Sequence, residues 1–231
     1  MLTLAIDTAT KVCSVALCRD QEILAEYDIS MGMTHSEGLL PQLEQLLQRT
    51  RIGKEEIDLV AVSMGPGSFT GLRIGLATAE AMAYTWKCNL HGVNTLKALA
   101  YNIPLEGMVL SPVLDAQKGN YYQALYQWQA GELVELAPLQ VVNKEELVER
   151  ITAVGQKTII LGECKKLMTL EMPVQISIAP QSLVMPKASS VALLAIKEHD
   201  PEADKKIFGL EPYYVRRSEA EELWEKRQKQ L

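Results

Sequence analysis

The chain has 231 residues, 48% of them hydrophobic, enough to bury a substantial core in one large domain or two small lobes, so disorder over the whole length is excluded. A formal net charge of -6 and a pI near 5.2 oppose tight holding of phosphate backbones, which draws on clustered Lys and Arg; a nucleic-acid substrate would be held mostly by something else. No apolar stretch reaches the ~20 residues that span a bilayer, and Met1-Leu2-Thr3-Leu4-Ala5-Ile6-Asp7 lacks a basic n-region, so neither a membrane anchor nor a signal peptide is expected.

The apolar run of residues 2–7 ends in Thr8-Ala9-Thr10-Lys11 and reads as a buried strand followed by a polar turn. Residues 12–17 and 23–29 continue as strands around Arg19-Asp20-Gln21, giving a three-stranded meander. From His35 the spacing becomes helical, with Leu39, Leu40, Leu43, Leu46 and Leu47 on one stripe and Gly53 after its end. Residues 58–64 form a continuous apolar strand of the fully buried type. A glycine-rich turn and a second helix over 72–86 complete a βββαβα unit.

The same order restarts at residue 108, with strands over 108–114, 121–128 and 133–142. Asn143 is an expected N-cap, with Glu145 and Glu146 in the first helical turn. Strands over 158–161 and 174–178 and a helix over 190–198 follow, and a charged terminal helix is expected over 218–229. Ile6-Asp7 lies over Leu114-Asp115, and Val15-Ala16-Leu17 over Gln123-Ala124-Leu125 at the same offset, which suggests an internal duplication. The division this implies is 1–106 and 107–231.

Few residues invite chemistry. Asp7, Thr8 and Thr10 sit at a strand end, where hydroxyls and turn amides could meet a phosphate and the acid a metal; satisfying the turn backbone is the favoured role. The loop Gly65-Pro66-Gly67-Ser68-Phe69-Thr70-Gly71 joins strand to helix but matches neither GxxxxGK[ST] nor GxGxxG. Gly71, Gly75, Ala79 and Ala83 form a smooth ridge that suits equally the protein's own sheet or a partner helix, and Leu39, Leu43 and Leu46 pose the same choice. His35, His91 and His199 are expected to be isolated from one another, without HExxH, HxxxH or a nearby cysteine pair, and no GxSxG elbow occurs, so zinc and serine hydrolase chemistry are unsupported. Lys165-Lys166 and Arg216-Arg217 read as solvated surface. Cys13, Cys18, Cys88 and Cys164 form no CxxC pair, and Cys13 and Cys18 should point to opposite faces of one strand; reduced thiols in the cytosol are expected.

Taken together, Leu4-Ala5-Ile6-Asp7-Thr8-Ala9-Thr10, His35-Ser36-Glu37-Gly38-Leu39-Leu40-Pro41 and Gly65-Pro66-Gly67-Ser68-Phe69-Thr70-Gly71-Leu72-Arg73-Ile74-Gly75 resemble the bacterial TsaB (YeaZ) family. Leu114-Asp115-Ala116 and Pro212-Tyr213-Tyr214-Val215-Arg216 extend the resemblance over the whole chain. It implies an α/β, two-lobed ASKHA fold (actin-like ATPase or RNase H-like), with the second lobe reduced. TsaD, the catalytic relative, transfers a threonylcarbamoyl group to adenosine of tRNA and binds metal through HxxxH after Val-Asn. Here the matching stretch is Val93-Asn94-Thr95-Leu96-Lys97-Ala98-Leu99, so Thr95 and Leu99 stand where imidazoles would be needed. The resemblance therefore implies a non-catalytic cytoplasmic subunit that pairs with TsaD through the helices carrying His35, Leu39, Leu43, Leu46, Gly71, Gly75, Ala79 and Ala83. It would self-associate through the same surface, work with the ATPase TsaE and meet tRNA only through the complex. It would hold no metal and no tight cofactor, with ATP or ADP only at the joint with TsaD and Asp7, Thr8 and Thr10 as a vestigial phosphate turn. An ASKHA phosphotransferase or hydrolase is the alternative, and a peptidase the less favoured one.

Overall fold

The computed structural model describes residues 1–30, 35–167 and 172–215; the expected terminal helix over 218–229 and the Arg216-Arg217 pair lie outside them. In chain order the first half contains β1 (Leu2–Asp7), β2 (Cys13–Arg19), β3 (Glu22–Ile29), α1 (His35–Thr50), β4 (Leu59–Gly65), α2 (Phe69–Trp86), β5 (Asn89–Asn94) and α3 (Thr95–Tyr101). The second contains β6 (Val109–Asp115), β7 (Tyr121–Gln129), β8 (Glu132–Val142), α4 (Lys144–Val154), β9 (Thr158–Gly162), β10 (Ile176–Ile178) and α5 (Ala188–Glu198). Periodicity does not announce β5 and α3. One is short and polar with Gly92 inside it, and the other makes barely two turns.

Two five-stranded sheets share one topology, β3-β2-β1-β4-β5 and β8-β7-β6-β9-β10. In each, a meander supplies antiparallel pairs and the fourth and fifth strands join in parallel. The duplication also reaches the turns: the Ala9 amide donates to Asp7 Oδ1 (3.1 Å), and the Gln117 amide to Asp115 Oδ1 (2.7 Å). The single offset suggested by sequence needs one correction. Asp7 pairs with Ser14 but Asp115 pairs with Tyr121, so the second hairpin is one residue shorter and its second strand slips by one position.

Packing follows from strand alternation. One face of the first sheet presents Leu4, Ile6, Val15, Leu17, Val60 and Val62 to α1 and α2. The opposite face presents Ala5, Ala16 and Ala61, and their small side chains let α5 settle closely with Val191, Ala192 and Ala195. Cys13 and Cys18 fall on these opposite faces, as alternation requires. Thus α5, last in the second half, packs on the first sheet, while α3 packs chiefly on β6, β7 and β9 of the second. The first sheet also caps α5: Ser14 Oγ accepts from the Ala188 amide (2.8 Å) and Glu26 Oε1 from the Ser189 amide (2.9 Å). On the second sheet, Asn143 caps α4 in a capping box with Glu146, as the sequence suggests.

Leu99 of α3 is fully buried in the second core, and a Cβ on Gly162 would reach within 2.8 Å of its Cδ2. Leu99→Ala should cost about 2–5 kcal/mol by urea unfolding followed through tryptophan emission. A loss under about 1 kcal/mol would show that α3 is not the keystone of that core.

Candidate functional site

The site begins where β1 ends. Asp7 is 1% exposed, and both carboxylate oxygens are taken inside the protein, Oδ1 by the Ala9 amide and Oδ2 by the Ser63 hydroxyl of β4. Burial pushes its pKa up to about 6, against the Ser63 and Ala9 hydrogen bonds and the nearby His35, all of which pull it down. Thr8 donates its hydroxyl to the Gly71 carbonyl (2.8 Å), and Thr10 Oγ1 accepts from the Val12 amide (3.2 Å). His35, at the start of α1, donates Nε2–H to the Thr10 carbonyl (2.7 Å), while its Nδ1 is buried without a partner. In the second half, burial raises the Asp115 pKa, but the Lys166 ammonium (2.8 Å) and the Gln117 amide outweigh it and hold the carboxyl below its ordinary range.

The glycine string fits this hairpin sterically. A Cβ on Gly67 would overlap the Ala9 carbonyl oxygen, one on Gly71 the Thr8 carbonyl oxygen, and one on Gly75 the Thr8 hydroxyl. Ser68 bridges loop and helix, its amide donating to the Ala9 carbonyl (2.7 Å) and its Oγ accepting from the Gly71 amide (3.2 Å). Gly71, Gly75, Ala79 and Ala83 therefore face inward and are buried, as are Leu39, Leu43 and Leu46. As contact residues for a partner these seven are taken up by the chain's own core. A large residue at Gly75 would test folding rather than docking.

What α1 and α2 turn outward is different. Ala77 and Ala81 are exposed beside the half-buried Thr78, Met82 and Trp86, and with Thr85 and Leu40 they line a shallow groove without a charged side chain. Leu40 of α1 is 60% exposed and Tyr84 of α2, about one turn beyond Ala81, 64%. Isolated apolar surface residues are ordinary; here they adjoin in one contiguous uncharged groove.

The positions matched to TsaD's imidazoles have structural work. Thr95 Oγ1 accepts from the Gly65 amide (3.1 Å), and Leu99 lies in the second core. Among the described residues no group of three or more His, Cys, Asp or Glu could hold a metal ion, and no helix is long and apolar enough to cross a membrane. One sequence expectation is corrected here. His91 and His199 are not isolated, because both bond Asp204, and only the tertiary fold brings together residues this far apart in the chain.

These features define a class: a duplicated, two-lobed α/β protein of the ASKHA type whose first-lobe acid is sealed and whose first-lobe helices present an uncharged groove. Residues 22–224 match the family model described as "TsaD: tRNA N6-adenosine threonylcarbamoyltransferase". Over 233 residues the chain is 31% identical to the tRNA threonylcarbamoyladenosine biosynthesis protein TsaB of Bacillus subtilis, covering 99% of this chain and 100% of that one. It is 32% identical to the Escherichia coli TsaB over 166 residues, 70% of this chain and 71% of that one. A solved Pseudomonas aeruginosa structure described as an uncharacterized protein with similarity to peptidase YEAZ superposes with TM-score 0.79 at 24% identity, covering 93% and 99% of the two chains. The chain belongs to the TsaB (YeaZ) family.

The folded chain keeps a proton on Asp7 at pH values where the unfolded chain, with a pKa near 3.8, has lost it. Asp7 therefore contributes stability on the acid side that is lost as pH rises from about 4 through about 6. Asp7→Asn, which removes the titration, should be more stable than the parent by up to about 3 kcal/mol near pH 8. That advantage should vanish near pH 4, in denaturant titrations across that range. Equal stability of the two proteins near pH 8 would overturn the assignment. Gly71→Ala should destabilise by about 2 kcal/mol or more, because backbone must shift, whereas Ala77→Ser on the outer face should change stability by less than about 0.5 kcal/mol in the same assay.

Proposed function

We propose that this chain is a non-catalytic partner subunit that docks, through the outward faces of α1 and α2, onto the TsaD-type enzyme that adds a threonylcarbamoyl group to adenosine of tRNA. Membership of the TsaB family places it in the pathway of tRNA threonylcarbamoyladenosine biosynthesis. The uncharged groove of Leu40, Ala77, Thr78, Ala81, Met82, Thr85 and Trp86 carries the docking reading. It is lined mostly by small and apolar side chains, which lets another helix approach closely and suits a helix pair of a related lobe. The same surface would serve self-association, so that homodimer and heterodimer compete for it. TsaE is expected to join the assembled pair, and the cytoplasm is the expected compartment.

Absence of turnover by the chain alone is supported by the state of Asp7. Both its oxygens are bonded within the protein, and a carboxylate so enclosed is poorly placed to approach a metal-bound phosphate. A serine hydrolase centre is opposed by the same cluster, since Ser63 donates to Asp7 while His35 Nε2 is directed to the Thr10 carbonyl. Tight nucleotide binding by the free chain is not expected; ATP or ADP would be held only at the joint with TsaD. The acidic net charge supports tRNA contact through the complex rather than by this chain alone.

Ala81→Trp, at an exposed position, should leave the fold intact while abolishing co-elution with a TsaD-type partner on size-exclusion light scattering and removing tRNA modification from a reconstituted mixture. A folded Ala81→Trp protein that still co-elutes and supports modification would refute the docking face. Magnesium-dependent ATP turnover by the pure chain would instead support the phosphotransferase or hydrolase alternative.

A further inference from the structure

Outside the surfaces discussed so far, two histidines converge on one buried acid. Asp204, 7% exposed, accepts from His91 Nδ1 (3.0 Å), His199 Nδ1 (2.5 Å) and the Asp200 amide (3.2 Å). The Leu90 amide also donates to the Asp204 carbonyl (3.0 Å), so the turn after α5 is fastened to β5 by main chain and side chains together. On its other side His91 Nε2 faces Glu198 Oε2 at 3.6 Å, and Glu198 is paired with Lys97 of α3. The remaining polar and titratable neighbours are Asn89, 3.4 Å from His199 Nε2; Tyr126 of β7, within electrostatic reach of Glu198; and Asp200, whose side chain accepts from the Glu202 and Ala203 amides.

Past this cluster the chain runs as a strap along α2. The Phe208 ring lies against Tyr84 with centroids 5.4 Å apart, and the Tyr213 amide donates to the Met64 carbonyl (2.6 Å). Tyr214 stacks on Phe69 (4.9 Å) and accepts from Arg73 Nε (2.9 Å). Phe208 and Tyr213 are 68% and 60% exposed, and the strap's apolar hold comes from the half-buried Ile207, Leu210 and Val215, none of them fully buried, so its polar anchor at Asp204 adds to a modest apolar hold.

We propose that His91, His199 and Asp204 form a proton-operated latch that fastens the 199–215 strap to β5 and, through it, to the edge of α2. A protonated His91 donates Nδ1–H to Asp204 as a charge-assisted bond and forms an ion pair with Glu198 through Nε2. A neutral one keeps the Asp204 bond only as a weaker neutral-donor bond and loses the ion pair with Glu198, leaving two carboxylates balanced chiefly by Lys97. Burial lowers the imidazolium pKa, but the bonds and charges of Glu198 and Asp204 outweigh it and hold His91 above its ordinary value. The sign follows. Stability from the latch is fully present below the unfolded pKa of 6.5 and is lost as pH rises through the raised folded value. The latch stands whether or not α2 is a docking face.

Amide hydrogen exchange of the full chain, corrected for intrinsic rates, tests this. Between about pH 6 and about pH 8.5, protection over 204–215 should fall roughly threefold or more while β6 and β7 hold constant. His91→Gln, which can still donate to Asp204 but cannot titrate, should flatten that dependence. A flat response in the parent chain, or an unchanged pH dependence in His91→Gln, would overturn the latch. As a measure independent of strap opening, the His91 ring resonance should titrate above 6.5 in the parent and at lower pH in Asp204→Asn. A midpoint at or below 6.5 in the parent would also overturn it.

Discussion

At the start of α2 the backbone lies so close to the first hairpin that any side chain on Gly67, Gly71 or Gly75 would overlap Thr8 or Ala9. Much of the first lobe depends on this approach. It allows the Thr8 hydroxyl to reach the Gly71 carbonyl and the Ser68 amide to reach that of Ala9, so hairpin and helix satisfy each other's polar groups directly. It also sets the rotation of α2. With Gly71, Gly75, Ala79 and Ala83 turned onto the sheet, Ala77 and Ala81 must face out. The uncharged groove is thus a geometric consequence of the buried ridge. The hairpin, covered by loop and helix, closes over Asp7 and leaves that acid with Ser63 and the Ala9 amide as its partners.

The duplication is preserved in strand order, in the turns after Asp7 and Asp115, and in little else. Asp7 is sealed, whereas Asp115 keeps an exposed ion pair with Lys166. The halves are bound by exchange of helices. Alanine-lined α5 covers the first sheet, with its first amides capped by Ser14 and Glu26, while α3 contributes Leu96 and Leu99 to the second core. Neither sheet is covered by helices of its own half alone, so stability is shared across the chain.

Legibility varied with how local the cause was. Strands whose alternation or continuous apolar character is set by immediate neighbours were readable to within a residue or two, and so was the Asn143 cap. β5 and α3 were not, since their stability comes from β4 on one side and from the second sheet on the other rather than from periodicity. The seven ridge and stripe residues posed an undecidable choice in one dimension, because a small or apolar face suits the protein's own core and a foreign surface alike. Ala77, Ala81 and Leu40, which line the groove, carried no signal that separated them from core residues on the same helices.

By itself the sequence determined the two repeating units, the family to which they belong, and the places where glycine was needed. Those properties are written in local spacing and in residue types with narrow steric meaning. Tertiary structure alone decided which helix faces point outward, which half each closing helix covers, and that His91 and His199 meet at Asp204 across 107 intervening positions. Such meetings depend on how sheets twist and helices cross, and no short-range pattern in the chain encodes them.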